Sequence, residues 1–264
     1  MNRIHPALKL IIVAVTYSAF AELSLSFSYG SSNATPVWPA SGLAFAMLLL
    51  WGRGMWSGIF AGAFAGNLIF FLQSSVIWTT AASASLFIAA GNTAEALTGY
   101  FLLRLMNSSE VGKMFSQVQH VFYFVLTTLL MCVVSCTVGA LTAWTSGLIS
   151  AEDIGVVWLT WWSGDVSGIF LLTPFLLIWL GSKPEFRVEP TVIFETLALT
   201  TGIIFLSGIV FLDWFKPTFI FTRAFIIIPF IIWVSVRLRH HMLTLINIVA
   251  AIFAIAGTVN GIGP

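Results

Sequence analysis

The chain has 264 residues, of which 59% are hydrophobic and only 8% are charged, and its formal net charge is +1. Soluble globular domains carry about 25% charged residues, so most of this chain's surface cannot face water. The small net charge gives no electrostatic basis for binding nucleic acid. Composition therefore argues against a soluble enzyme or a nucleic-acid-binding domain and favours an integral membrane protein surrounded by the lipid bilayer.

Nine apolar segments are candidate transmembrane helices, since a helix needs about 20 apolar residues to cross a bilayer. The second is short and could form a re-entrant hairpin with the third, and the fourth is long enough to be tilted or broken near Gly91. We expect an all-α fold, a polytopic membrane helix bundle of about nine spans. In chain order the segments are Leu8–Ser26, Val37–Trp51, Met55–Leu72, Val76–Leu105, Val121–Trp144, Val156–Leu180, Val192–Leu212, Phe219–Val236 and Leu243–Val259.

The cationic residues between these segments are distributed unevenly, and cytoplasmic loops of membrane proteins are enriched in lysine and arginine. With a cytoplasmic N-terminus, only Lys216 falls outside. Nine spans would then leave Pro264 on the outer face, so we expect residues 1–264 to be a single domain truncated before a tenth span. The cytoplasmic set is Arg3, Lys9, Arg53, Arg104, Lys113, Lys183, Arg187, Arg237 and Arg239.

Small residues and prolines within the segments predict packing features. Gly58, Gly62 and Gly66 recur every four residues and form a ridge that lets a second helix approach closely. The ridge predicts either an internal helix contact or a dimer interface. Pro174 and Pro229 lie inside predicted spans and predict helix kinks, because proline removes a backbone hydrogen bond.

Four ionisable residues lie inside predicted spans, where each is a functional hypothesis because charge is costly in a membrane. Glu22, Asp165 and Arg223 fall in the outer part of their spans, whereas Glu95 is deeper. We hypothesise that Asp165, Glu22 or both neutralise Arg223 within a cavity that opens outward. The alternative is a buried ion pair that only stabilises helix packing.

Tryptophans near these charges suggest how such a cavity is lined. Trp161 shares a helical face with Asp165, and Trp162 and Trp38 are further candidates for its wall. Apolar walls with a few polar groups suit a small ligand. We therefore predict that an unknown small ligand or ion is sensed by Glu22, Trp38, Trp161, Trp162, Asp165 and Arg223.

A second polar group is predicted closer to the middle of the membrane. Asn92 and Glu95 lie on one face of the fourth segment, and Asn67 lies at similar depth in the third. This group is either a polar packing knot or a protonatable switch. The sequence has no nucleotide-binding loop, catalytic serine motif or zinc-helix motif, so we expect no metal, cofactor or catalytic residue in this chain.

Short motifs that follow one another along the chain resemble the first-described MASE domain, a bacterial membrane-associated sensor module. The resemblance extends over nearly the whole chain, and the order and spacing of the motifs make it specific. The motifs are Val37-Trp38-Pro39-Ala40-Ser41-Gly42-Leu43-Ala44, Trp51-Gly52-Arg53, Gly91-Asn92-Thr93-Ala94-Glu95-Ala96-Leu97, Trp161-Trp162-Ser163-Gly164-Asp165, Leu171-Leu172-Thr173-Pro174, Trp233-Val234-Ser235-Val236-Arg237 and Gly261-Ile262-Gly263-Pro264.

The resemblance implies an inner-membrane input domain that precedes GGDEF or EAL domains, PAS repeats or a histidine kinase. It thus implies cyclic di-GMP or two-component signalling, frequently in a homodimer, with any catalytic output domain beyond Pro264. The family pattern also places a last span after the Gly-Pro element. Motif matches assign functional or structural importance to Trp38, Pro39, Ser41, Asn92, Glu95, Trp162, Asp165, Pro174 and Arg237.

Three functions are consistent with these features. The leading one is a sensory input domain without catalysis, in which a stimulus favours one of two helix packings. The first alternative is a small multi-pass transporter or channel, where membrane carboxylates and kinked helices also occur, although the halves show no inverted repeat. The second alternative is a scaffold that pairs with another membrane protein.

Overall fold

The computed structural model describes residues 5–25, 35, 37–106, 114–181, 190–212, 214, 224–238 and 240–261. Across these residues the regular structure is helical and contains no strand, so the predicted all-α fold is confirmed. The α-helices of the described part are α1 Pro6–Leu25, α2 Pro39–Trp51, α3 Trp56–Gln73, α4 Trp78–Leu105, α5 Val118–Thr145, α6 Ile154–Gly181, α7 Pro190–Leu212, α8 Ile227–Arg237 and α9 His240–Val259.

Seven helices of the described part are long and apolar enough to cross a membrane, so the expected count of about nine spans is not confirmed. The two shorter apolar helices are α2 and α8. With a rise of about 1.5 Å per residue, the 13 residues of α2 reach roughly 20 Å, short of the roughly 30 Å hydrocarbon core. Apolar composition predicted α2 as a helix but not how much of the bilayer it covers.

The chain divides into two compact units, Met1–Leu177 and Ile178–Pro264. Unit 1 contains α1 to α5 and most of α6, and unit 2 contains α7 to α9. Each unit has its own packing.

The glycine ridge of α3 forms an internal contact in unit 1. A Cβ atom at Gly62 would lie 2.5 Å from the Ala14 carbonyl oxygen, and one at Gly58 would lie 2.8 Å from the Leu10 carbonyl oxygen. Such distances exclude a larger side chain unless the backbone moves. The ridge therefore packs α3 against α1, as the first of the two interpretations predicted.

Helix α2 is the central helix of unit 1. Its residues 40–48 are buried on all sides, as expected for a helix that is apolar around its whole circumference. Its N-terminal end contacts α6, because the Trp38 backbone N–H donates to the Gly164 carbonyl at 2.9 Å. A Cβ atom at Gly168 would lie 2.0 Å from the Trp38 carbonyl oxygen, so α6 meets the start of α2 through backbone contact.

One of the two prolines differs from expectation, and the fourth helix excludes one of the two alternatives predicted for it. Helix α4 runs from Trp78 to Leu105 without a break at Gly91. Pro174 lies in the interior of α6, but Pro229 is the third residue of α8. The predicted kink at Pro229 is wrong, since the first N–H groups of a helix have no intrahelical partner to lose.

Unit 2 has an aliphatic core. Its helices contribute buried leucine, isoleucine, valine and alanine side chains, and Arg237 of α8 pairs with Glu195 of α7 where both side chains are substantially exposed. The core residues are Leu199, Ile203, Val210, Ile227, Val234, Ile246 and Ala250.

Candidate functional site

Asp165 is a buried carboxyl whose two oxygens bridge three helices of unit 1. Its Oδ1 accepts a hydrogen bond from the Ser41 hydroxyl of α2 at 3.0 Å, and its Oδ2 accepts one from the Ser135 hydroxyl of α5 at 2.6 Å. Asp165 itself belongs to α6 and is only 6% exposed. Hydrogen bonds to an ionised acceptor are stronger than neutral ones, so this arrangement stabilises a negative charge where α2, α5 and α6 meet.

The start of α2 also favours a negative charge on Asp165. Helix α2 begins at Pro39, a residue well suited to the first helical position, and Ser41 lies in the same turn. The carboxyl that Ser41 contacts therefore lies beside a helix N-terminus, whose dipole favours negative charge. The Val37–Ala44 motif thus provides a charge-stabilising helix start as well as an apolar segment.

Glu95 of α4 lies beside Asp165, and we call these two carboxyls with Ser41 and Ser135 the buried cluster. The Glu95 side chain is fully buried and interacts with Asp165, Ser41 and Ser135, yet neither carboxyl oxygen has a hydrogen-bond partner of good geometry among the described residues. The sequence separated Glu95 and Asp165 by depth, but the structure brings the two carboxyls together. Segment boundaries do not reveal how far neighbouring helices are offset along their axes, and that offset cancels the expected difference in depth.

Tyr17 lies near the buried cluster, and sequence reasoning missed it. It is fully buried in α1, and its hydroxyl lies beside Trp38 and Asn92 without a hydrogen-bond partner of good geometry among the described residues. A buried tyrosine hydroxyl usually has a partner. A single tyrosine in an apolar segment gives no sequence signal of this role. Tyr17 packs against the glycine ridge, since its Cβ atom would lie 2.8 Å from a Cβ atom at Gly62. Its place at the site follows from this packing and not from its sequence neighbours.

A cavity of about 40 Å³ lies beside Asp165. Its wall contains residues from both the predicted ligand-sensing group and the predicted polar knot, which the sequence analysis treated as separate. Three of the predicted ligand-sensing residues and two members of the predicted polar knot share its wall, together with three apolar side chains. At about 10–15 Å³ per water-sized particle, it has room for roughly three of them. Its polar and tryptophan side chains are Thr35, Trp38, Asn67, Asn92, Trp161 and Asp165.

The remaining predicted ligand-sensing residues lie elsewhere. The Trp162 indole N–H donates to the Leu129 carbonyl at 3.1 Å, and its ring stacks on Trp158, so it packs on α5 and does not line the cavity. Glu22 is partly buried near the end of α1, outside the cavity wall. Arg223 lies outside the described residues, and so does its predicted pairing with Asp165 or Glu22.

The described lysine and arginine side chains of unit 1 lie at the end of the unit that is opposite to the cavity. Lys9 lies over the Trp51 ring at 5.3 Å, Arg53 directly follows α2, and Arg104 bonds to the Tyr100 hydroxyl at 2.9 Å near the end of α4. We call this the basic end. Within the described residues, Asp165 and Glu95 form no ion pair, and no group of three histidine, cysteine or acidic residues is placed to hold a metal ion.

Comparisons with known proteins identify the family. No curated protein and no solved structure gives a significant match to the chain. The family model of MASE1, a membrane-associated sensor domain, matches residues 8–264, which confirms the resemblance read from the ordered motifs. The chain therefore belongs to the MASE1 family.

Proposed function

We propose that this chain is the sensory input domain of a bacterial signalling protein and that its stimulus acts at the cavity beside Asp165. The observation that carries the proposal is the cavity itself. It joins two indoles, Trp38 and Trp161, to the amides of Asn67 and Asn92 and to a buried carboxyl. Apolar walls with a few convergent polar groups are typical of small-ligand sites, and the family is one of membrane sensors.

The proposed location is the bacterial inner membrane, with the N-terminus in the cytoplasm. Lys9, Arg53 and Arg104 share the basic end of unit 1, and cytoplasmic faces of membrane proteins are enriched in lysine and arginine. The cavity is lined by Leu25, at the end of α1, and by Trp38, just before α2. This orientation directs the cavity toward the periplasmic side.

The proposed mechanism is a shift between two helix packings. Ser41 of α2 and Ser135 of α5 each donate to one oxygen of Asp165. A ligand that interacts with the carboxyl competes with these two hydrogen bonds and so changes how α2 and α5 are held against α6. A ligand shifts such an equilibrium only by its differential affinity for the two packings. We propose that a dimer passes the shift to a GGDEF, EAL or histidine kinase output.

Replacement of Asp165 by Asn in the natural full-length protein tests this function. Asparagine keeps the size of the side chain and can still bond to both serines, but it removes the charge. We expect membrane insertion to be preserved and the output, measured as cellular cyclic di-GMP or as autophosphorylation according to the output domain, to lose its response to stimulus. Glu152→Gln, an exposed carboxyl just before α6, is the matched control. An unchanged output in Asp165→Asn under all conditions that alter the wild type would refute the proposal.

A further inference from the structure

The chemistry of the ligand follows from the charge balance around the cavity, given the proposed sensory function on which this inference depends. Asp165 lines the cavity, and the Glu95 carboxyl lies beside it. Each Asp165 oxygen accepts one serine hydroxyl. Two adjacent buried carboxyls cannot both ionise easily, so the site offers one negative charge, which we place on Asp165.

The lysines and arginines that the structure describes in unit 1 do not neutralise this charge. Arg104 follows Glu95 by nine residues on α4, which is roughly 13 Å of helix rise, and it bonds to Tyr100. Lys9 and Arg53 lie at the same basic end. Buried charge in a membrane is normally paired or hydrated, so a positively charged ligand fits the cavity better than a neutral or an anionic one.

The remaining groups of the wall also suit a cation. The Asn67 amide N–H donates to the Ala63 carbonyl at 2.8 Å, which leaves the amide oxygen as an acceptor. Trp38 and Trp161 add indoles, the aromatic groups that attract cations most strongly. The Trp161 ring is held against Gly139, where a Cβ atom would lie 1.5 Å from it.

Two fully buried polar groups lie next to residues of the cavity wall. The Tyr17 hydroxyl lies beside the lining residues Trp38 and Asn92, and the Glu95 carboxyl lies beside Asp165. Neither has a hydrogen-bond partner of good geometry among the described residues. Buried polar groups are almost always bonded, so these two groups, which lie behind the cavity wall and are not part of it, are available for further polar contacts at the site.

We propose that the cavity is a binding site for a small monovalent cation. Its volume of about 40 Å³ admits ammonium, methylammonium or an alkali-metal ion. Asp165 supplies the charge, the Asn67 and Asn92 amides supply neutral oxygens, and the two indoles form the aromatic wall.

Cation titrations of the purified full chain in lipid nanodiscs test the proposal. Chloride salts of ammonium, methylammonium, sodium and potassium are each titrated against N-methylglucamine chloride at constant ionic strength, with tryptophan fluorescence and thermal unfolding as readouts. We expect a saturable response to at least one of these cations, and the series separates an ammonium ligand from an alkali-metal ligand. Asp165→Asn should weaken the apparent affinity at least tenfold, whereas Glu152→Gln should stay within twofold of wild type.

A second variant keeps the test decisive if Asp165→Asn does not fold. Asn67→Leu removes one neutral oxygen from the wall without changing charge and should weaken affinity at least threefold. The proposal is overturned if no cation gives a saturable response in the folded wild type, or if affinity is unchanged in these variants. A response confined to Arg223→Gln would also overturn it, since the wild-type site would then already be neutralised. An absent cation response together with an altered output in Asp165→Asn would refute the cation and leave the sensory function standing.

Discussion

The two units of the molecule differ in where their described carboxyl groups lie. Unit 1 buries two carboxyls, Asp165 and Glu95, where its helices meet. Unit 2 has an aliphatic core, and its described ion pair joins Arg237 and Glu195, whose side chains are 52% and 39% exposed. Because an ionisable group buried within a membrane protein is costly and is a functional hypothesis by default, the contrast places the candidate function in unit 1.

Hydrogen bonds between helices occur in both units, but in unit 1 two of them reach an ionisable group. In unit 1 the Thr173 hydroxyl donates to the Gly42 carbonyl at 2.9 Å, and Ser41 and Ser135 donate to Asp165 from two other helices. In unit 2 the Thr244 hydroxyl donates to the His240 carbonyl of its own helix and accepts from the Trp179 indole at 3.3 Å. Because the two hydrogen bonds to Asp165 come from α2 and α5, movement of either helix against α6 changes the environment of this carboxyl.

The largest effect is expected where backbone contact holds α2 against α6. Gly168→Ala puts a methyl group 2.0 Å from the Trp38 carbonyl oxygen, and overpacking of this severity should lower the free energy of unfolding by about 3 kcal/mol. Gly155→Ala, near the start of the same helix, has nothing within 4 Å of its Cβ and should be neutral or stabilising by up to about 1 kcal/mol. Denaturant titration in mixed micelles measures both. Equal effects would mean that the backbone contact is not a constraint.

An intermediate effect is expected from the hydroxyl bonded to Asp165. Ser135→Ala removes the 2.6 Å hydrogen bond to Oδ2, and loss of a bond to a charged group should cost about 2 kcal/mol. Ser235→Ala in unit 2 removes an exposed hydroxyl that donates to the Ile232 carbonyl of its own helix and should cost less than about 0.5 kcal/mol. The same titrations compare the two. A cost for Ser235→Ala as large as that for Ser135→Ala would break the contrast between the units.

The smallest effect is expected from the ion pair of unit 2. Exposed pairs contribute less than about 1 kcal/mol and are screened by salt. A double-mutant cycle with Arg237→Gln and Glu195→Gln should therefore give a coupling energy below about 1 kcal/mol, and that coupling should shrink further in 1 M salt. A larger, salt-independent coupling would show that this pair is as consequential as the buried cluster and that unit 2 also holds a charge-dependent site.

Much of the fold could be predicted because its signals are local. The apolar runs located most helices to within a few residues, as for α4, predicted at Val76–Leu105 and observed at Trp78–Leu105. The exception is α8, which begins at Ile227, whereas its segment was predicted from Phe219. The span count could not be predicted, since apolar composition does not show that α2 is a short helix enclosed by its neighbours. The Gly58–Gly62–Gly66 ridge predicted close packing, and only the structure identified α1 as its partner.

The candidate site was predicted in part. Trp38, Trp161 and Asp165 line one cavity, whereas Trp162, the next residue along α6, donates to the Leu129 carbonyl and does not line it. Neighbouring residues on a helix point about 100° apart. Which of two adjacent tryptophans lines a cavity therefore depends on the rotation of the helix about its axis, which the sequence does not show. Tyr17 could not be found, because its role depends on how α1 packs and not on its sequence neighbours.

The sequence by itself determined the membrane class, the helical segments and the family, because hydrophobic length and motif order are properties of the chain read residue by residue. Only the tertiary structure decided that Glu95 and Asp165 share one cluster, that Asn67 and Asn92 face the same cavity as Trp38, and that α2 lies at the centre of unit 1. These outcomes depend on the rotation and axial offset of each helix against its neighbours, which are set by side-chain packing between distant segments.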